Sequence, residues 1–242
     1  MNGVFNAVPV FLNNPNYMNQ VFQGRYWAIE RYVSGFCNNA FLISCKRTRR
    51  SVIIDTPKNP QKLIKAASRY RVEAILFTHG HRDHVEGYET VKNHFPVQTG
   101  IGEPDRTSLP DDASVTINVE TGNSIIIGDI SLTPLFTPGH TPGSTCYLLE
   151  SEKTLAESEP SHIFTGDTLF PGGPGKSRSN IALKQILKSL ESHIFALPEK
   201  TVVLPGHGGF TTVGKSKNEY AQFASNPLDD SLYGDVTWIQ SS

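Results

Sequence analysis

Cysteine is scarce in this chain: three residues in 242 (Cys37, Cys45 and Cys146), none in C-x-x-C spacing. That excludes a disulfide framework as the source of stability and points to a reducing compartment. No apolar run approaches the ~18–20 residues needed to cross a bilayer, so no membrane span is expected. Charge of one sign is also missing, since 22 Lys and Arg face 23 Asp and Glu for a formal net charge of −1. No basic face large enough to dominate nucleic-acid binding follows from that balance, and no basic stripe interleaved with aromatics is present. The Asn-rich first twenty residues have no basic segment leading into an apolar stretch. A signal peptide is therefore not expected, and the expected location is the cytoplasm. Internal repeats and low-complexity tracts are absent as well.

What is present suits a folded domain with a substantial core: 38% hydrophobic and 19% charged residues. Residues 1–25 carry many Asn and Pro without a period and read as a loop or extended lead-in. Residues 26–242 read as one domain, because no composition shift marks a linker. Branched and aromatic runs predict strands at Trp27–Val33, Asn39–Lys46, Ser51–Asp55 and Glu73–Thr78. Further strands are predicted at Pro96–Gly100, Val115–Val119, Ser124–Ile127, Ile130–Phe136, Ser144–Leu149, His162–Thr165 and Thr201–Leu204. Apolar residues at helical spacing predict helices after Pro60 (Leu63, Ile64, Ala67, Tyr70), around Val85–His94 and over Asn180–Phe195, with a short one at Lys217–Ala224. The polar stretch Glu150–Ser161 reads as an exposed hairpin tip. The tail beyond Pro227 carries little pattern, and Trp238 reads as exposed, free to pack on a partner or on its own domain. Alternating groups of strands and helices define an α/β (α+β) sandwich.

Chemistry-bearing residues concentrate in four places, each just after a predicted strand. Thr78-His79-Gly80-His81-Arg82-Asp83-His84 sets three imidazoles and a carboxylate within six residues. One histidine in such a loop is usually just solvated. Three with a carboxylate, directly after an apolar strand, form a donor set for Zn, Fe or Mn. Thr137-Pro138-Gly139-His140-Thr141-Pro142-Gly143-Ser144 fixes a stiff turn with His140 at its apex. Phe164-Thr165-Gly166-Asp167-Thr168-Leu169-Phe170 ends a strand on a carboxylate in an apolar setting; such a group needs a hydrogen-bond network or a cation, or else caps the next segment. Leu204-Pro205-Gly206-His207-Gly208-Gly209 places a histidine in a Gly-rich turn. His94, His162 and His193 fall in no motif and read as surface or packing residues. Arg47, Arg49 and Arg50 read as a solvated hairpin tip.

The ordered set H-x-H-x-D-H, G-H-T-P-G-S, T-G-D-T-L-F and G-H-G resembles the metallo-β-lactamase superfamily, from about Trp27 to Gly209. The resemblance implies a four-layer αββα sandwich with two metals at one edge of its central sheets. It implies His79, His81 and His140 as ligands of the first metal, Asp83, His84 and His207 as ligands of the second, and Asp167 as the carboxylate bridging both. Asp55, ending its strand, matches an Asp common in this fold; it supports the metal loop or is a plain turn Asp beside Pro57. A bridging group at 167 sets the chain apart from the true β-lactamases, which typically lack it. No inserted domain of the kind seen in many nuclease relatives fits between His140 and Asp167.

Two divalent ions a few Å apart lower the pKa of a shared water toward neutrality, polarise a substrate carbonyl and stabilise the oxyanion. The implied activity is that of a metal-dependent hydrolase using metal-bound hydroxide, with Asp83 and Asp167 as its catalytic carboxylates. Zinc is the first candidate metal, with iron or manganese also suited. No G-x-S-x-G motif is present, and the cysteines lack a sequence-local partner, so covalent catalysis has little support. Within the superfamily the motifs look most like the glyoxalase II-like branch, which hydrolyses hydroxyacylglutathione thioesters. The implied partner is a small, anionic thioester substrate rather than nucleic acid or membrane, and the protein a monomer or homodimer. Two features depart from that branch. Only 35 residues follow His207, so the helical C-terminal domain that helps hold glutathione is expected to be absent. Where many relatives carry G-C-G-R, this chain has Gly173-Pro174-Gly175-Lys176-Ser177-Arg178; Lys176 and Arg178 either contact an anionic substrate or are solvated loop charges. The alternatives are a lactonase or other ester hydrolase of the same fold, and a persulfide dioxygenase holding one iron on His79, His140 and Asp167. A third is a binding module that keeps the fold without turnover.

Overall fold

The computed structural model describes residues 19–150, 159–225 and 227–238. Most of the expected lead-in and of the hairpin tip lies outside those residues. The elements run β1 (Gln20–Gln23), β2 (Trp27–Ser34), β3 (Asn38–Cys45), β4 (Arg50–Ile54), α1 (Gln61–Ala67), β5 (Arg71–Leu76), α2 (Arg82–Val85), α3 (Tyr88–His94) and β6 (Gln98–Gly100). They continue with β7 (Ile125–Ile127), β8 (Ile130–Phe136), β9 (Thr145–Glu150), β10 (His162–Gly166), β11 (Leu169–Phe170), β12 (Gly173–Pro174), α4 (Asn180–Ser189), β13 (Val202–Pro205), β14 (Thr211–Thr212) and α5 (Val213–Ala224). Among the described residues, β1 to β6 form one six-stranded sheet in sequence order, and β14-β13-β10-β9-β8-β7 form a second.

Burial shows why these segments stack as αββα. β3 and β4 carry apolar side chains on both faces. Phe41, Ile43, Val52 and Ile54 point between the sheets, where they meet Leu132, Tyr147, Leu149, Phe164 and Leu204 of the second sheet. Their alternates Leu42 and Ile53, with Ile75 of β5, face outward under Leu63, Ile64 and Ala67 of α1 and Tyr88 and Val91 of α3. The outer face of the second sheet is covered by Leu183, Ile186 and Leu187 of α4 and by Val213 of α5. A strand buried on both faces cannot alternate apolar with polar, which accounts for the continuous apolar runs.

Topology gathers the four motifs at one edge. β4 runs parallel to β5, and β10 parallel to β13. Their C-terminal ends therefore lie side by side, and the segments after β5, β8, β10 and β13 all leave from that edge. Backbone hydrogen bonds stitch the sheets there: Thr145 N donates to Thr78 O (2.8 Å) and Asn39 N to Gly206 O (2.7 Å).

Several expectations need correction. Val115–Val119 is not a strand; Val115 makes an isolated bridge to Thr99, while Ile117 and Val119 pack at the core's margin. The V-T-I-N-V alternation satisfies that margin, but three-residue β6 offers only Thr99 as a backbone partner. The helix around Val85–His94 is broken into α2 and α3 at Gly87. Trp238 is buried rather than exposed, and it packs on its own chain against Phe195, Tyr220 and Phe223.

His162 is a packing residue, buried at the start of β10 against the rings of Phe22 and Trp27, with Nδ1 lacking a hydrogen-bond partner. Burial pulls its pKa down to about 4. The unfolded chain takes up this proton near pH 6.5 and the folded chain only near 4. Stability therefore falls as pH drops through that window, by about 3 kcal/mol in full. His162→Phe is expected to remove that component, so urea titrations at pH 7 and 4.5 should show a smaller acid loss than in the unsubstituted protein. Parallel losses in both proteins would refute the assignment.

Candidate metal centre

All seven residues expected as ligands meet at the shared sheet edge. His79 Nε2 lies 3.0 Å from His81 Nδ1, and His140 Nε2 lies 2.9 Å from the same atom. His84 Nε2 is 3.3 Å from His207 Nε2, and Asp83 Oδ2 is 3.4 Å from His207 Nε2 and 3.9 Å from His84 Nε2. Asp167 spans the two sets: Oδ1 is 3.4 Å from His84 Nε2, and Oδ2 is 3.5 Å from His140 Nε2 and 3.6 Å from His207 Nε2. Three groups have ligand atoms mutually within 4.8 Å: His79–His81–His140, His79–His84–Asp167 and Asp83–His84–His207. The donor set fits divalent cations. Buried Asp167 Oδ1 strengthens the fit, because it has no hydrogen-bond partner among the described residues, and a buried carboxylate oxygen without one is costly unless a cation faces it.

Hydrogen bonds on the outer side of the rings decide which nitrogen faces inward. His140 Nδ1 lies 2.8 Å from the carbonyl of Lys176, which can only accept, so Nδ1 carries the hydrogen and Nε2 keeps its lone pair. Thr78 donates its hydroxyl hydrogen to Asp55 Oδ2 (2.8 Å), so His79 Nδ1, 3.1 Å from that hydroxyl, donates to it. His84 Nδ1 donates to Asp55 Oδ2 at 2.9 Å. Each arrangement leaves Nε2 free to bind a cation, the usual division of labour between a histidine's two nitrogens at metal sites.

Asp55 therefore does more than make a turn beside Pro57. Its carboxylate accepts from Thr78 N (2.9 Å), the Thr78 hydroxyl and His84 Nδ1, and it holds a φ of 59° to do so. Burial pushes the His84 pKa down, but Asp55 and then Asp167 outweigh it and hold the group up to about 10. Burial opposes ionisation of Asp167 too, yet the charge of His84, 3.4 Å away, with that of His79 and His140, keeps its carboxyl far below the usual range. His79, fully enclosed, is driven well down by burial and by the charge of His84. Without a cation the cluster thus keeps a proton on His84; a cation must displace it.

Close approach explains two glycines. A Cβ on Gly206 would sit 2.5 Å from Asp167 Oδ1 and 2.6 Å from His84 Cε1, and one on Gly166 (φ 48°) would sit 2.5 Å from Thr78 Cβ. Neither neighbour can retreat without dispersing the donors.

Three supporting residues had no place in the motifs. Asn38 Nδ2 donates to Asp83 Oδ2 (2.9 Å) and lies 3.2 Å from His207 Nε2. Asn39 Nδ2 donates to the carbonyls of Pro205 (2.9 Å) and Gly208 (3.2 Å), clamping the His207 turn. Their signal in the sequence is a pair of amides opening an otherwise apolar strand. Buried Asp105, in the 3-10 turn Glu103–Ser108, accepts from Gly80 N (2.8 Å), the Thr141 hydroxyl (2.6 Å) and Gly143 N (2.9 Å). It ties the His79–His84 loop to the His140 turn. Asp105→Ala strands three donors, so a stability loss of about 3 kcal/mol is expected from urea unfolding, with weaker metal retention. An unchanged unfolding midpoint would refute that role.

Of the two expected substrate contacts, Arg178 Nη2 lies 3.2 Å from His81 Nε2, at the centre itself. Lys176 Nζ instead pairs with Asp235 at 3.2 Å, while its carbonyl holds His140.

Comparison with known proteins bears on the family and the fold. The chain is 33% identical over 179 residues to the probable hydroxyacylglutathione hydrolase glo2 of Schizosaccharomyces pombe, covering 70% of this chain and 63% of that protein. It is 30% identical over 217 residues to the hydroxyacylglutathione hydrolase GloC of Haemophilus influenzae, covering 81% and 94%. The crystal structure of a metallo-beta-lactamase from Staphylococcus aureus superposes with a TM-score of 0.68 at 28% identity, over 81% of this chain and 62% of that one. The chain thus spans under two thirds of the length of some of the relatives it matches. With residues 36–207 matching the sequence signature of the family, and its αββα layers and motif order in agreement, the chain belongs to the metallo-beta-lactamase superfamily.

Proposed function

We propose that this chain is a hydrolase that holds two divalent ions and cleaves thioesters of an anionic thiol, such as a hydroxyacylglutathione. The single observation that carries the reading is the inward aim of the seven donors: His79, His84 and His140 each commit Nδ1 to an outer partner, and Asp167 reaches both sets. In this reading His79, His81 and His140 hold one ion, Asp83, His84 and His207 the other, and Asp167 both. Zinc suits so nitrogen-rich a set, with iron or manganese as possible substitutes. When bound, the ions supply Lewis acidity and bring the pKa of water toward neutrality.

The chain's own groups do the rest. Asp83 is partly exposed, with Oδ2 held by Asn38; it orients the attacking water and accepts its proton. His81 offers Nδ1 to the centre, so the hydrogen of its neutral ring sits on Nε2, facing Arg178. Two donors cannot share that contact, and the Arg178 guanidinium is then left for a substrate carboxylate. Lys176 adds charge further out. Cys146 offers no nucleophile: it is fully buried, and burial pushes its thiol up to about 11. The names of the S. pombe and H. influenzae relatives favour the thioester. A cytoplasmic setting fits the free cysteines. No helix among the described residues is long and apolar enough to cross a membrane.

A mononuclear iron dioxygenase needs only His79, His140 and Asp167, and would leave the assembled Asp83–His84–His207 group without a role. Metal analysis of the purified protein, paired with assays on thioesters, lactones and persulfides, tests the reading. Two divalent ions per chain and turnover of S-D-lactoylglutathione are expected. One iron per chain, with oxygen consumed on glutathione persulfide, would overturn it.

A further inference from the structure

We propose that Tyr233, held beside Arg178 by a strap of chain, receives the thiol arm of the substrate and sets selectivity for large anionic thiols. The inference rests on the thioester hydrolysis proposed above and concerns a segment with no part in the metal centre.

The strap is the tail following α5. Its backbone is fixed along the segment that carries Lys176 and Arg178. Ser177 N donates to Gly234 O (3.0 Å), Gly234 N donates back to Ser177 O (3.1 Å), and Trp238 N donates to Gly172 O (2.7 Å). Asn180 Nδ2 donates to Leu232 O (2.9 Å). Alternate side chains anchor it: Val236 and Trp238 are buried in the cluster over α4 and α5. Their alternates along the strap, Tyr233, Asp235 and Thr237, are exposed.

Register decides which outward residue meets the site. Ser177 and Gly234 form an antiparallel bridge in which each donates to the other. The positions flanking such a pair face each other across the ribbon, on the side opposite to the bridged residues. Lys176 is therefore opposite Asp235, and their ion pair at 3.2 Å bears this out. By the same register Arg178 is opposite Tyr233. Arg178 reaches His81 at the centre, so Tyr233 stands one side chain further out. Tyr233 is 58% exposed, and Ile181, near the start of α4, is 79% exposed. The Tyr233 hydroxyl has no hydrogen-bond partner among the described residues.

An exposed aromatic on a backbone pinned at both sides is a preformed contact surface: little ordering entropy remains to be lost on binding. A thioester reacting between the imidazole sets projects its thiol arm past Arg178. An arm made of peptide-like amides ending in carboxylates matches that sequence of neighbours, with a guanidinium for the anion and then a ring face for the planar amides. A short neutral thiol ends before it reaches Tyr233.

The test compares Tyr233→Ala and Tyr233→Phe with the unsubstituted protein on two lactoyl thioesters, one of glutathione and one of N-acetylcysteamine, with metal content measured alongside. Tyr233→Ala is expected to raise KM for the glutathione thioester about tenfold, with kcat within twofold and metal content unaltered. KM for the short thioester should hold, and Tyr233→Phe should recover most of the loss because the ring face is retained. An unaltered KM, or an equal rise on both substrates, overturns the inference and leaves the proposed activity standing. Failure of the unsubstituted protein to turn over either thioester overturns both.

Discussion

Asp167→Ala is expected to drop metal content from two ions per chain to one or fewer and to cut turnover at least about 10²- to 10³-fold, the scale of losing one preorganised charge-stabilising group. The argument is electrostatic. Two divalent cations held a few Å apart repel strongly, and the imidazoles around them contribute no negative charge. Among the described residues Asp167 and Asp83 are the carboxylates in the donor groups, and Asp167 spans both sets, with Oδ1 toward His84 and Oδ2 toward His140 and His207. The charge of His84 and its neighbouring imidazoles holds the Asp167 carboxyl well below the usual range, so it presents that negative charge at neutral pH. Asp167→Asn separates charge from shape. It keeps the volume and one acceptor oxygen, so metal loss equal to that of Asp167→Ala would assign the whole effect to charge. Elemental analysis of dialysed protein decides the matter, and retention of both ions in Asp167→Ala would remove the bridging role.

That prediction was within reach of the sequence because four motifs carry the donors and their resemblance to the superfamily implies the ligand roles. H-x-H-x-D-H follows an apolar strand, and G-H-T-P-G-S, T-G-D-T-L-F and G-H-G each follow another. Parallel strands place such segments at a common edge by topology. The central strands were readable for a related reason: Leu42, Ile53 and Ile75 leave no polar face, so the runs near Asn39, Ser51 and Glu73 have no competing reading. Asp105 was not readable. It acts through two backbone N–H groups and one hydroxyl from loops more than twenty residues away, and its own neighbourhood, Glu103–Ser108, carries no period. Asn38 and Asn39 were hidden likewise, since an amide opening a strand resembles a turn residue until the His207 turn is seen against it. The tail defeated pattern reading because its anchors, Val236 and Trp238 with half-buried Leu228 and Leu232, pack on distant elements rather than on one another. The bridge to Ser177 that fixes its course is a tertiary pairing, which no local pattern encodes.

Asp55→Asn is expected to weaken both metal positions together, by roughly 10- to 100-fold in affinity, the usual cost of losing a partner that orients metal ligands. The substitution is conservative in volume, and asparagine tolerates the φ of 59° that this position demands, so the fold should survive. What fails is the count of acceptors. Three hydrogens converge on the carboxylate, from Thr78 N, the Thr78 hydroxyl and His84 Nδ1, and they use both oxygens. An amide has one oxygen, and its NH₂ faces at least one of those donors, hydrogen against hydrogen. If the NH₂ meets the Thr78 hydroxyl and His84, the His84 ring loses its partner and is free to rotate. The hydroxyl also turns away from Asp55, and His79 Nδ1 loses a fixed acceptor. If the NH₂ meets Thr78 N instead, a buried backbone donor is left unpaired at the root of the His79–His84 loop. His79 serves the first set of donors and His84 the second, so either orientation damages both. Titration with a chelator of known affinity should show the two ions released at lower chelator concentration than in the unsubstituted protein. Loss confined to one ion would show that the relay through Thr78 does not reach His79.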